Sequence, residues 1–197
     1  MITSLGAFLP LAGQAVTAPR VAFRQVLDTP ADRPLIIRFA MLVILFNLIL
    51  GLLADVLMPP PDGAVTISTM AAFIMHMASI FGGAGMMFAV GRVFQGRGSL
   101  DGALKAVTWF SFVMLIAQGF FLAALLIVPG AAAALVLLLL FIFSMIQLCG
   151  VTMELHGFEN PILVVFGIIG AAIIFGFFML ILLALLGVEL PTAPAPA

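Results

Sequence analysis

The sequence predicts an all-α membrane protein: a polytopic bundle of five transmembrane helices preceded by a short N-terminal interfacial amphipathic helix. Three observations carry this prediction. Hydrophobic residues make up 65% of the 197-residue chain and charged residues only 8%, whereas soluble domains are about one quarter charged. Five apolar stretches each approach or exceed the ~20 residues that a crossing requires. All seven Lys and Arg residues fall in two groups, one before the first stretch and one between the second and third.

The elements follow in order. "MITSLGAFLPLAGQAVTAPR" lacks an early basic residue, and Pro10 interrupts its apolar part, so it is read as retained rather than as a signal peptide. "TAPRVAFRQVLDTPADRP" predicts the short helix. Thr17 is placed to cap it and Pro19 to start it. Pro19, Ala22, Phe23 and Val26 share one face, and Arg20, Arg24, Gln25 and Asp28 the other, so the helix is expected to lie on anionic lipid or simply to orient the chain.

The first span is expected from Phe39 to Met58, ended by Pro59, Pro60 and Pro61, since proline has no amide proton to give a helix interior. The second runs from Ile67 to Val90. Ala106 to Met153 carries no charge and is too long for one crossing. The "VPG" at 128–130 divides it into a span from Leu104 to Val128 and another from Ala131 to Thr152. The fifth runs from Pro161 to Gly187, with proline in its first turn. Three units result: a cytoplasmic arm over 1–34, a membrane domain over 35–188, and a Pro/Ala-rich external tail over 189–197, expected to be disordered or extended.

Basic residues stay on the cytoplasmic side. Arg20, Arg24, Arg33 and Arg38 precede the first span; Arg92, Arg97 and Lys105 lie between the second and third. Five spans put both groups on one side, with the N-terminus cytoplasmic and the C-terminus external. Trp109 is then expected at the cytoplasmic interface.

Candidate chemistry is sparse. In "FQGRGSLDGALKAVTW", Gly91 and Gly96 have the separation of a phosphate loop, but Arg97 and Gly98 stand where Lys and a hydroxyl are needed. A dinucleotide loop fails as well, because Asp101 occupies the third glycine position. A plainer reading accounts for every residue: Gly96 and Gly98 turn the chain, Ser99 caps the next helix, Asp101 suits its first turn, and Lys105 stays at the interface. Met75 and Met77 point away from His76 on a helix, which argues against a copper site. "MELHGFEN" offers Glu154, His156 and Glu159 without metalloprotease spacing. Cys149 is the single cysteine, so no intrachain disulfide forms.

Two residue sets remain. Arg20, Arg24, Arg97, Ser99, Asp101, Lys105, Glu154, His156 and Glu159 are candidates for a cytoplasmic docking surface. Asn47, Asp55, His76, Gln118 and Gln147 are polar residues within spans, candidates for a solute path or for interhelical hydrogen bonds. In the fifth span, Gly167 with Ala171 and Ala172 with Gly176 favour close helix packing, within one copy or between copies of a homo-oligomer.

Together these segments resemble the Yip family, named for Ypt/Rab-interacting proteins, in its bacterial branch. "APRVAFRQVLDTP" resembles its pre-membrane segment, "GRVFQGRGSLDGALKAVTW" its loop between the second and third spans, and "ELHGF" the short loop before the last span. The resemblance covers Ala18 to Gly187 and the five-span order. Eukaryotic members contact Rab-type GTPases, partly through a long N-terminal region. This chain lacks that region, so the Rab role is not carried over. For bacterial members the resemblance implies a membrane domain without an assigned reaction, and the residues are read as those of a non-enzymatic adaptor or membrane-organising factor of the bacterial inner membrane, with cytoplasmic docking loops. It would bind lipid and a cytoplasmic protein, without cofactor, metal or nucleic acid. A small-solute or ion permease is the alternative.

Overall fold

A computed structural model of the chain describes residues 8–60, 67–127 and 130–188. Among them are seven helices and no strand: α1 (Phe8–Thr17), α2 (Pro19–Asp28), α3 (Arg33–Leu57), α4 (Thr69–Val93), α5 (Leu100–Ile127), α6 (Gly130–His156) and α7 (Pro161–Leu185). The last five are long and apolar enough to cross a membrane, as the sequence predicts. Val128 and Pro129 of the expected tight turn, Pro61, and the 189–197 tail lie outside the described residues.

The helices start where local chemistry starts them. Asp32 Oδ1 accepts from the Leu35 amide at 3.1 Å, and Pro34 sits in the first turn, so α3 begins six residues before the expected Phe39. Ser68 and Asn160 cap α4 and α7 in the same way. The α4 helix contains a π-helical turn at Ala78–Gly82, where one residue too many for α-geometry widens the turn. The sequence gives no sign of it.

The centre of the bundle is α5, which packs against α2, α3, α4 and α6, while α7 packs only on α4 and α6 among the more extensive contacts. Small residues let α5 take this place: Ala103, Ala106 and Ala117 are buried along it, and a small side chain brings backbones close without a hydrophobic drive between helices. Burial concentrates toward one end. Ile36, Ala40, Val43 and Ile44 of α3 and Ala103, Leu104 and Ala106 to Trp109 of α5 are nearly inaccessible. The far halves of α3, α6 and α7 expose residues such as Val56, Leu137 and Ile173, as helices facing lipid do at no cost. Trp109 is 1% exposed and packs on Phe112 at 5.7 Å between ring centres. It belongs to the core, so its ring faces protein rather than lipid.

A helix not foreseen from the sequence, α1, lies beside α2. Leu11, Ala12 and Ala15 are its buried face. Gln147 Nε2 donates to the Ala15 carbonyl at 2.7 Å. Gln147 precedes the end of α6 by nine residues, about 14 Å of helix. The end of α1 thus reaches well below the polar end of the bundle, where a free carbonyl has no water to bind.

Candidate functional site

The polar end of the bundle is assembled from four segments. The first is α2. It begins at Pro19 as expected, but its N-cap is Ala18, which makes no side-chain cap. Thr17 instead closes α1, which corrects its assignment as the cap. Ala22 and Phe23 are 0% exposed, so the apolar face of α2 is spent on protein and not on lipid. Gly150 of α6 permits this approach. A Cβ there would lie 3.1 Å from the Pro19 ring carbons, tighter than ordinary contact.

The charged face of α2 is then held by α6. Arg24 Nε donates to Glu154 Oε1 at 2.6 Å, and Arg20 Nε lies 3.5 Å from Oε2. One carboxylate, its side chain 10% exposed, bridges two guanidinium groups. The hydrogen bond to Glu154 and then its charge raise the Arg24 pKa above the usual guanidinium value. At the other end of α2, Lys105 Nζ donates to the carbonyls of Thr29 at 2.8 Å and Leu27 at 3.4 Å. A cation on the last carbonyls of a helix suits its dipole. Arg33 reaches Asp101 at 2.7 Å, tying the start of α3 to the start of α5. Ser99 Oγ accepts from the Gly102 amide at 3.0 Å and caps α5, as the sequence suggests.

The glycine loop has a different role from the one its composition suggests. The turn after α4 falls at Gln95, which alone among the described non-glycine residues has a positive φ, 62°. Gln95 N donates to Arg92 O at 3.0 Å and Gly96 N to Gly91 O at 2.7 Å, the paired bonds of a Schellman closure. The glycines serve space instead. A Cβ on Gly91 would fall within the His156 ring; one on Gly96 would lie 2.5 Å from Nδ1, and one on Gly98 2.8 Å from Cε1. Three glycines thus form a cradle for one imidazole. Phe158 stacks on its face at 5.3 Å and 24°, and the Arg97 amide donates to the His156 carbonyl at 3.2 Å. His156 is 2% exposed, and its ring lies against the main chain of Met87 with no well-formed hydrogen bond at either nitrogen among the described residues. It is therefore not on the docking surface. It locks the loop between α4 and α5 to the end of α6. Helix α6 itself runs to His156, so Met153, Glu154 and Leu155 belong to the helix and not to a loop.

The polar residues within spans do not converge. Asn47 Nδ2 donates to Val43 O at 2.8 Å, and His76 Nδ1 to Ala72 O at 2.8 Å, each within its own helix. Gln147 holds α1. Gln118 is half-buried on α5, and Asp55 is exposed near the end of α3. Between α4, α5, α6 and α7 lies a half-open groove of about 270 Å³. Its walls include Met87, Phe94, Val107, Phe158, Ile168, Ala171 and Phe175, and none of the five polar residues. No three His, Cys, Asp or Glu side chains come together as a metal site among the described residues.

Several of the docking candidates make contacts between helices at this end. Arg20 and Arg24 pair with Glu154, Asp101 pairs with Arg33, Lys105 holds main-chain carbonyls at the end of α2, and Ser99 caps its own helix. Arg97 and Glu159 are exposed beside them. Arg38, Arg92 and Arg97 make no ion pair among the described residues. Gly91 and His156 were the missed pair. Their link spans 65 positions, and only the clustering of Gly91, Gly96 and Gly98 hints at it. No curated protein and no solved structure matches the chain significantly. A family model for the Yip1 domain matches residues 13–187, covering the second half of α1, the α2 arm, the glycine cradle and all five spans. The chain is an integral membrane protein of the Yip1 family.

Proposed function

We propose that this protein is a non-enzymatic adaptor or membrane-organising factor that docks a cytoplasmic protein on the polar end of its bundle. The observation that carries the reading is the convergence of three sequence-distant segments on one pre-formed face. Arg20 and Arg24 meet Glu154, Arg33 meets Asp101, and Lys105 closes α2. A surface whose parts are already cross-braced loses little entropy when a partner binds. Arg97 and Glu159 remain exposed on it and are the side chains offered to the partner. The positive-inside rule orients this end toward the cytoplasm of a bacterial inner membrane, with the C-terminus external.

The test uses cysteine substitutions at Arg97, Ser99 and Glu159, each with Cys149→Ala, and a short bifunctional crosslinker in native membranes. The reading expects one shared protein adduct from all three positions. Absence of any shared adduct, with the physiological role retained, would sink it.

A further inference from the structure

Two short helices are added to one end of the bundle, and their depth decides what they do there. Helix α6 is 27 residues long, about 40 Å, so about 5 Å of it stands outside each face of a hydrocarbon core ~30 Å thick. Gln147 lies about 14 Å below the polar end of α6. The Ala15 carbonyl that it holds at 2.7 Å is then about 9 Å inside the core. Helix α2 lies at a similar level. Its Pro19 end packs on Gly150, six residues inside the end of α6. At its other end the Thr29 carbonyl accepts from Lys105, five residues inside the start of α5. Similar depth at both ends lays α2 across the spans rather than along them. Helix α1 folds back beside it: only Ala18 separates the two, and Gln25 Nε2 donates to Gln14 Oε1 at 3.0 Å.

The chemistry of α1 supplies the second observation. Leu11, Ala12 and Ala15 are buried against the protein, while Pro10, Gly13, Val16 and Thr17 are exposed. That exposed face carries no charge, and no side chain before Arg20 is charged at all. Helices that rest on headgroups carry Lys and Arg on their polar face; α1 has nothing to hold it there. Its outer face continues the lipid-facing surface of the spans. The other leaflet has no counterpart. Beyond Ile44, Gln147 and Ile168, toward the opposite end, α3, α6 and α7 bury no described residue, and no further described helix packs on them there. A ten-residue helix lying flat covers about 15 Å by 10 Å, and an upright one a disc about 10 Å across. The pair α1 and α2 thus adds to one leaflet roughly the area of three spans.

We infer that the α1–α2 pair is a one-leaflet wedge: the protein is wider in the leaflet at its polar end and favours bilayers that are convex on that side. The partner is the lipid leaflet itself, whose spread headgroups on a convex face admit the uncharged outer face of α1. The inference does not rest on the docking role, since no protein partner enters it.

Two measurements on the full chain in phosphatidylcholine test it. The first is depth. Gly13→Cys with Cys149→Ala carries a fluorophore on the outer face of α1, where a Cβ meets nothing within 4 Å. A nitroxide in the upper half of the acyl chain should quench it roughly twofold more than a nitroxide on the headgroup. The second is sorting between a giant vesicle and a narrow tube pulled from it. A dye on Glu159→Cys with Cys149→Ala marks the protein, and its response to an impermeant quencher reports orientation. Protein with its polar end outward should be enriched in the tube roughly two- to threefold, and protein with its polar end inward depleted. Val16→Glu should draw α1 toward the headgroups and bring the outward enrichment close to one. Val56→Glu puts the same charge on an exposed residue near the other end of α3 and should leave the enrichment unchanged. Quenching of position 13 by the headgroup nitroxide alone, equal densities in tube and vesicle, the same enrichment in both orientations, or full enrichment in Val16→Glu would each overturn the inference.

Discussion

Replacing Gly91 by alanine adds one methyl group to the chain and should be among its most damaging small changes. The new Cβ would overlap the imidazole of His156. The ring has nowhere to retreat. Gly96 and Gly98 close two sides, and Phe158 stacks on its face at 5.3 Å. Overpacking of this kind costs about 1–3 kcal/mol, and the upper half of that range applies where the neighbours are backbone and a fixed ring. Alanine also gains up to ~1 kcal/mol of helix propensity over glycine. Gly85→Ala on the same helix makes the same gain, and a Cβ there meets nothing within 4 Å. The difference between the two variants therefore isolates the clash, at about 2–3 kcal/mol. For a chain of this size, 1 kcal/mol moves the midpoint by about 2–4 °C, so Gly91→Ala should melt roughly 5–10 °C below Gly85→Ala in detergent. Adding His156→Ala should recover most of that gap, because it removes the obstructing ring. Equal melting of the two glycine variants, or no recovery in the double variant, would refute the cradle.

Three further outcomes are expected. Gly150→Leu drives a side chain against Pro19 and should lift α2 from α6, read as faster amide exchange over 19–28 with α5 unchanged. Gln147→Leu leaves the buried Ala15 carbonyl unpaired and should cost about 1–2 kcal/mol, with lost protection confined to α1. Phe23→Ala empties a fully buried site and should cost about 3–5 kcal/mol of global stability, which a helix lying on lipid would not lose.

The spans were legible because lipid imposes length and apolarity on each segment separately, and both are written locally. Span ends were less so. Asp32 and Ser99 begin α3 and α5 ahead of their apolar runs, since a cap is a hydrogen bond and not a hydropathy change. The charged residues that pair at the polar end stand out in the sequence too, because this chain has so few. What stayed hidden depends on two distant segments at once. Ala22 and Phe23 form the same stripe whether they face lipid or α6. The buried place of Trp109 and His156 follows from neighbours far along the chain. The π-turn in α4 and the helical state of Phe8–Thr17 have no local marker that distinguishes them from ordinary helix or arm.

The central claim is that the polar end is one assembled surface and that assembly is what a partner recognises. A photocrosslinking residue at Glu159, read in native membranes with and without Glu154→Arg, tests this most directly. Glu154→Arg breaks both contacts to α2 without touching position 159. A single discrete protein adduct should form in the otherwise unaltered chain, vanish with Glu154→Arg, and return when Arg24→Glu restores the pair. No protein adduct at all, or the same adduct whether or not α2 is docked, would contradict the account.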